Sequence, residues 1–280
     1  MTRLDGSTML VTGAARGMGR QLAVQGAQRG ARIVAWDLDE PGLDDLAAEL
    51  GAALASRAVV DVTDRASIAA GVDALPGGAD DVDIVVNNAG VVSGARLVDL
   101  RPEQIERTFS VNVLALYWVT QAFLPSMERR RRGHVVTMAS AAGLVGVAKQ
   151  TDYSASKHAA VGFMESLRAE LRRDRVPVAT TTVCPFYIDT GMFEGARSRL
   201  PWLLPILHEP DVAARILRAV ERDKPVLRLP PIVGVLPVGR ILPVGLFDRL
   251  MDLLGVNRSM DDFVGRDRQE GRREARRGGR

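Results

Sequence analysis

Thr8-Met-Leu-Val-Thr12 runs straight into Gly13-Ala-Ala-Arg-Gly17-Met-Gly19, and a helical pattern continues through Leu22, Ala23, Val24 and Ala27. A short β-rich apolar run, a glycine turn and a helix in that order make a strand–turn–helix unit. A dinucleotide pyrophosphate needs backbone N–H groups close by and a helix N-terminus pointing at it. Gly13 permits the tight turn, Gly17 removes a side chain that would block the phosphates, and Gly19 lets the helix pack close to the strand. The spacing is G-x-x-x-G-x-G rather than G-x-G-x-x-G. A lone glycine cluster carries little weight; its place between a strand and a helix gives it meaning.

Working outward, Ala31-Arg-Ile-Val-Ala-Trp36 is a second strand that ends in Asp37, before a helix around Leu43, Leu46, Ala47 and Leu50. Ala58-Val-Val60 is a third, ending at Asp61, with Asp64 placed to cap the next helix. Val82-Asp-Ile-Val-Val86 is a fourth and leads into Asn87-Asn88-Ala89-Gly90. A long helix is predicted over 102–127, a fifth strand over 133–138, a helix carrying Tyr153 up to about 174, and a sixth strand over 176–183. Strands alternating with helices predict right-handed βαβ units. The fold class is α/β, a single Rossmann-type, doubly wound parallel sheet flanked by helices. The Arg129–Arg132 run reads as a solvated helix end complementing the dipole. After Pro185 the regularity breaks down until Glu209-Pro-Asp-Val starts a helix through Ala213, Ile216, Leu217 and Val220. Residues 225–254 are rich in Leu, Val, Pro and Gly. They read either as a buried sheet edge with a subunit contact, or as an apolar substrate mouth or membrane-surface contact.

At 280 residues, 46% hydrophobic and 25% charged, the chain suits one compact domain over 1–265. Cys184 is the sole cysteine, which excludes a disulfide framework and a cysteine metal cluster. His134, His158 and His208 are scattered without ligand spacing, so no metal is expected. The N-terminus has no apolar signal segment and the longest uncharged apolar run is too short to span a bilayer, so the expectation is cytoplasmic. The +3 formal charge is local: residues 266–280 hold seven arginines against Asp267, Glu270 and Glu274, and the rest is near neutral. This basic tail is expected to be disordered and solvated, with no specific nucleic acid as partner.

Tyr153-Ser-Ala-Ser-Lys157 places a phenol and an amine one helical turn apart on one face. A phenol has a reference pKa of about 10, and an ammonium beside it favours the phenolate, which would make Tyr153 a general base. Asp37, at the end of strand two, can accept from both ribose hydroxyls of an adenosine and would repel a 2′-phosphate, which favours NAD over NADP. Arg16 could instead greet that phosphate. Asp61 is placed either to meet the adenine edge or to cap a helix, and Asn87–Gly90 suits a cofactor-lining turn or a plain loop.

These motifs together resemble the short-chain dehydrogenase/reductase family over about residues 5–190. Thr12–Gly19 is similar to its cofactor turn and Asn87–Gly90 to its strand-four motif, while Asn112, Ser140, Tyr153 and Lys157 match its catalytic tetrad in order and spacing. The resemblance implies an oxidoreductase moving a hydride between NAD(H) and a CH–OH group. Tyr153 would be the base, with Lys157 lowering its pKa and bonding the nicotinamide ribose. Ser140 would bond the substrate oxygen, and Asn112 would hold a relay water. It implies further cofactor contacts from Met18, Val62, Asn88, Ala89, Gly90, Pro185, Ile188 and Thr190.

The chain departs from the family in having Pro185-Phe186 where Pro-Gly is usual. Together with the Leu/Pro-rich stretch at 236–259, this resembles a subgroup of retinol and 17β-hydroxysteroid dehydrogenases acting on long, apolar alcohols and ketones. The substrate is then a hydrophobic small molecule, a lipid-, steroid- or retinoid-like alcohol, ketone or aldehyde, bound by about 186–255. The resemblance also implies a homodimer or homotetramer; weak membrane-surface contact is expected only from the apolar 225–254 stretch, since the apolar N-terminal anchor of some members of the subgroup is absent from this sequence. The alternative is a catalytically lapsed NAD-binding regulatory or scaffold protein of the same fold.

Overall fold

The computed structural model describes residues 1–265; the basic tail at 266–280 lies outside them. Its strands are β1 (Thr8–Thr12), β2 (Arg32–Asp37), β3 (Leu54–Val59), β4 (Ile84–Asn87), β5 (His134–Met138), β6 (Ala179–Pro185) and β7 (Val226–Leu229). All pair in parallel in one sheet of order β3-β2-β1-β4-β5-β6-β7. The chain builds outward from β1 to β3, then crosses back to β4 on the other side of β1. That reversal opens a crevice beyond the carboxyl ends of β1 and β4.

Both faces of the sheet are covered, so the central strands are buried throughout rather than alternating with solvent. The pleat sends successive side chains to opposite cores. Met9, Val11, Ile33, Ala35, Ile84, Val86 and Val136 join one core with α1 (Gly17–Ala27), α2 (Glu40–Leu50) and α7 (Glu209–Glu221). Leu10, Val34, Trp36, Val85 and Val135 join the other, against α3 (Arg65–Asp73), α5 (Ala115–Arg130) and α6 (Thr151–Arg173). Asp64 caps α3, its carboxylate accepting from the N–H groups of Ala66 and Ser67 at 3.0 and 3.2 Å. Such a cap contributes about 1 kcal/mol.

Four departures from the sequence reading have local causes. β3 starts four residues before the predicted run, because it is a half-exposed edge strand whose Ser56 and Arg57 hide the pattern. The long helix predicted over 102–127 is interrupted. α4 (Pro102–Phe109) passes through a π-helical turn at Ser110–Leu114 before α5 begins. The arginine run does more than meet solvent: Arg130, mostly buried, donates to Asp83 at 2.8 Å and to the Val82 carbonyl at 2.6 Å, locking the end of α5 to the start of β4. The apolar stretch after Pro225 divides into β7 at the sheet edge, α8 (Leu236–Gly239) and α9 (Val244–Leu253). Among the described residues no helix is long and apolar enough to cross a membrane.

Candidate active site

The crevice beyond β1 and β4 is a cleft of about 560 Å³. Each strand from β1 to β6 delivers residues to it from the loop at its carboxyl end. Gly13, Arg16, Gly17 and Met18 come from the glycine turn, Asp37 from β2, and Asp61 and Val62 from the loop after β3. Asn88, Ala89 and Gly90 follow β4, Ser140 follows β5, and Pro185, Ile188 and Thr190 follow β6 or end it. Tyr153 and Lys157 reach in from α6. Of the residues singled out in the sequence, Gly19 and Asn112 do not line the cleft; both stand behind its wall.

The glycine turn is left-handed at Gly13 (φ 66°) and Gly17 (φ 55°), a region open to glycine at little cost. A methyl built on Gly19 would strike the Gly13 carbonyl oxygen and lie 2.7 Å from Asn88 Nδ2. Gly19 thus permits close packing against the turn itself, a tighter demand than helix-on-strand packing. Asn88 pins the turn to β4: its Nδ2 donates to the carbonyls of Thr12 and Gly13 at 2.9 and 3.2 Å. The first turn of α1 has no side-chain cap and no acidic residue. Its N–H groups are therefore left for an anion in the cleft, which fits a pyrophosphate.

The Asp37 carboxylate accepts from the N–H groups of Ala15, Leu38 and Asp39 at 2.9, 2.7 and 3.1 Å. These bonds fix it at the cleft rim and leave about one lone-pair site, on Oδ2, for a ribose hydroxyl rather than for both. Asp61 caps no helix. It accepts from the N–H and hydroxyl of Thr63, which turns the loop after β3 along the cleft.

Around Tyr153 the groups are buried and their chemistry is altered. Lys157, 5% exposed, donates to the Met138 carbonyl at 2.8 Å, and its Nζ lies 5.6 Å from the Tyr153 ring centroid. Burial pushes the Lys157 amine down to about 8, with Cys184 opposing. Burial also pushes the Tyr153 phenol well above its ordinary value. The nearby Ser140 hydroxyl draws it down, and Tyr187 adds to the rise. The expected lowering by Lys157 is therefore not what the protein alone provides. Desolvation of the phenolate outweighs an ammonium whose bond goes to Met138, and Ser140 is the group that favours ionisation. The Cys184 thiol, raised to about 11 mainly by burial, is a packing group and not a nucleophile.

Asn112 sits in the π turn, a feature that often marks functional sites. Its amide both accepts from and donates to the Val91 backbone at 2.9 Å, and donates to Ser156 at 3.0 Å. Its Oδ1 stands behind Gly90, where a Cβ would be 3.3 Å from it and 3.7 Å from Lys157 Nζ.

A second, apolar cavity of about 70 Å³ adjoins the cleft, and Ser140, Phe186 and Phe193 line both. Val145, Val147, Leu203, Leu204, Leu236 and Met251 form much of its wall, with Ile232 at 37% exposure beside it. Tyr153 meets Phe193 edge-on at 5.6 Å, and Phe193 meets Tyr187 at 5.1 Å. Sequence reasoning missed Tyr187, Phe193, Gln150 and Arg107, all of which line one cavity or the other. The available signal was three aromatics within 186–193 of a chain that is only 5% aromatic.

Comparison with known proteins agrees with this arrangement. A family model described as short chain dehydrogenase matches residues 7–201. Epidermal retinol dehydrogenase 2 of Mus musculus is 42% identical over 230 residues, 80% of this chain and 74% of that protein. The 17-beta-hydroxysteroid dehydrogenase 13 of Rattus norvegicus is 38% identical, covering 80% and 75%. Among solved structures, a short chain dehydrogenase/reductase from Burkholderia phymatum in complex with NAD superposes with a TM-score of 0.78 at 28% identity, covering 88% of this chain and 96% of that one.

Proposed function

The chain belongs to the short-chain dehydrogenase family, and on that premise we propose that it interconverts a hydrophobic alcohol and its ketone or aldehyde with NAD. One observation carries the reading: Ser140 stands where a dinucleotide-sized cleft, also lined by Tyr153 and Lys157, meets an apolar cavity. NAD, when bound, supplies the hydride acceptor or donor. Gly13, Gly17 and the first turn of α1 would hold its pyrophosphate, and Asp37 its adenosine ribose.

Tyr153 takes the alcohol proton in oxidation and returns it in reduction. Ser140 donates to the substrate oxygen as charge develops there. Lys157, its Nζ anchored on Met138, presents its remaining N–H groups to a ribose and supplies positive charge to the site. Asn112 sets the Gly90–Val91 backbone beside Lys157 and is the candidate for holding a proton-relay water. Residues of 186–255 form the substrate-binding region. The narrow cavity takes the reacting end of the molecule, and the partly exposed Ile232 in its wall leads the remainder outward.

A panel of alcohols of graded chain length and ring size, run with NAD and with NADP, tests this reading. Expected are kcat/KM values that rise with apolar size and a preference for NAD that weakens in Asp37→Ser. Faster turnover of small polar sugars or hydroxy acids would refute the substrate class. Unchanged NADP use in Asp37→Ser would refute the ribose role.

A further inference from the structure

The apolar cavity contains one polar group whose bonding is incomplete. Gln150, 1% exposed, lies one turn before Tyr153 and lines the cavity. Its Nε2 donates to the Tyr187 hydroxyl at 3.2 Å. The Tyr187 hydroxyl is 2.8 Å from Ser259 Oγ, and Ser259 Oγ donates to the Val256 carbonyl at 2.6 Å. A hydroxyl has one proton. That of Ser259 is spent on Val256, so Tyr187 must donate to Ser259 and accept from Gln150. This directed chain fixes the amide, with its nitrogen toward Tyr187 and its oxygen turned away.

The remaining groups are Oε1 and the second N–H of Gln150. Among the described residues neither has a protein partner. Nor does Oε1 appear among the side-chain atoms that are both fully enclosed and unpaired, which are Trp36 Nε1, Asp152 Oδ1 and Arg228 Nε. The oxygen therefore faces the open space of the cavity. Apart from Ser140, Gln150 and Tyr187, the cavity wall is made of apolar side chains. An acceptor and a donor held rigidly in such a wall are costly unless the occupant meets them.

We propose that Gln150 is a specificity-determining residue that bonds a second oxygen on the substrate. The substrate is then an apolar molecule with two oxygen functions, one reacting at Ser140 and Tyr153 and one, a hydroxyl or carbonyl, bonded to the Gln150 amide. Tyr187 acts as a positioning residue through its hold on that amide. This rests on the hydride-transfer reading above and narrows its substrate class.

The test compares a medium-chain secondary alcohol with diols and hydroxyketones of the same chain, the second oxygen at graded positions, using the full chain and NAD. The readout is the ratio of kcat/KM between the best dioxygenated compound and the mono-alcohol within each variant, so a general loss of activity cancels. The wild type should favour one dioxygenated isomer about tenfold or more, the scale of a buried hydrogen bond left unmade. In Gln150→Met, which keeps the length and apolar volume, the ratio should fall to about twofold or less. In Tyr187→Phe, which frees the amide to turn, it should fall to an intermediate value. A wild-type ratio near one for every isomer, or a ratio that survives in Gln150→Met, overturns the proposal. Absence of turnover with every alcohol and either cofactor defeats the hydride-transfer reading itself, which separates the two failures.

Discussion

At the scale of single residues, the site shows how burial and hydrogen bonding compete for one proton. Burial holds Tyr153 as a neutral phenol, so at neutral pH it is ready to donate. Reduction should therefore be well supported near pH 7, and oxidation, which needs the phenolate, should rise in kcat/KM as pH increases above 7. A pH profile measured in both directions checks the sign. Tyr153→Phe should lower kcat by about 10² to 10⁴-fold while cofactor affinity, read by fluorescence titration, changes less than about twofold; retained turnover would remove the assigned acid–base. Ser140, at a strand end, was reached only through the family resemblance, whereas the pairing of Tyr153 with Lys157 was legible in the sequence because one helix fixes their spacing. The direction of the Tyr153 shift was not. It depends on how many apolar atoms close around the phenol, and Phe193 and Tyr187 come from a stretch without periodicity.

At the scale of elements, the central strands were readable because they are continuous apolar runs, buried on both faces. The start of β3 and the break in the long helix were not, since an edge strand mixes polar residues and a π turn leaves the hydrophobic spacing nearly intact. Gly19 ties an element to its function. Gly19→Ala should force α1 back from the Gly13 carbonyl and Asn88 at a cost of about 1–3 kcal/mol. Since the same movement shifts the N–H groups of the first turn, cofactor affinity should fall more than about tenfold while the circular dichroism spectrum stays native. A variant that binds NAD as the parent does would mean the turn has slack that this packing does not suggest.

At the scale of the molecule, the α/β class followed from alternation of strands and helices. The packing of the N-terminus did not. His134, fully buried, lies 2.8 Å through Nε2 from Thr181 and 2.9 Å through Nδ1 from Thr2, joining the first residues to β5 and β6. Burial pushes its pKa down to about 4, partly opposed by Asp223. The unfolded chain takes up a proton near 6.5 and the folded one only near 4. The stability is thus complete above pH 6.5 and is lost as pH falls from 6.5 through 4. The loss is about 3 kcal/mol. Urea unfolding at pH 7 and at pH 4 should show it, and His134→Asn should flatten that part of the curve. An equal slope in the variant would place the acid sensitivity elsewhere.

The two rims of the sheet have a consequence for how the protein meets copies of itself. A bare strand rim invites backbone pairing and, from there, aggregation. Here one rim is β3, where Arg57 is ion-paired with Asp44, and the other is β7, four residues long, with Arg228 inside it and Pro225 and Pro230 at its ends. Charge on one side and brevity with flanking prolines on the other discourage further strands from joining. Any contact between copies is thereby left to helix faces and side chains, where it can close on itself instead of growing into fibres.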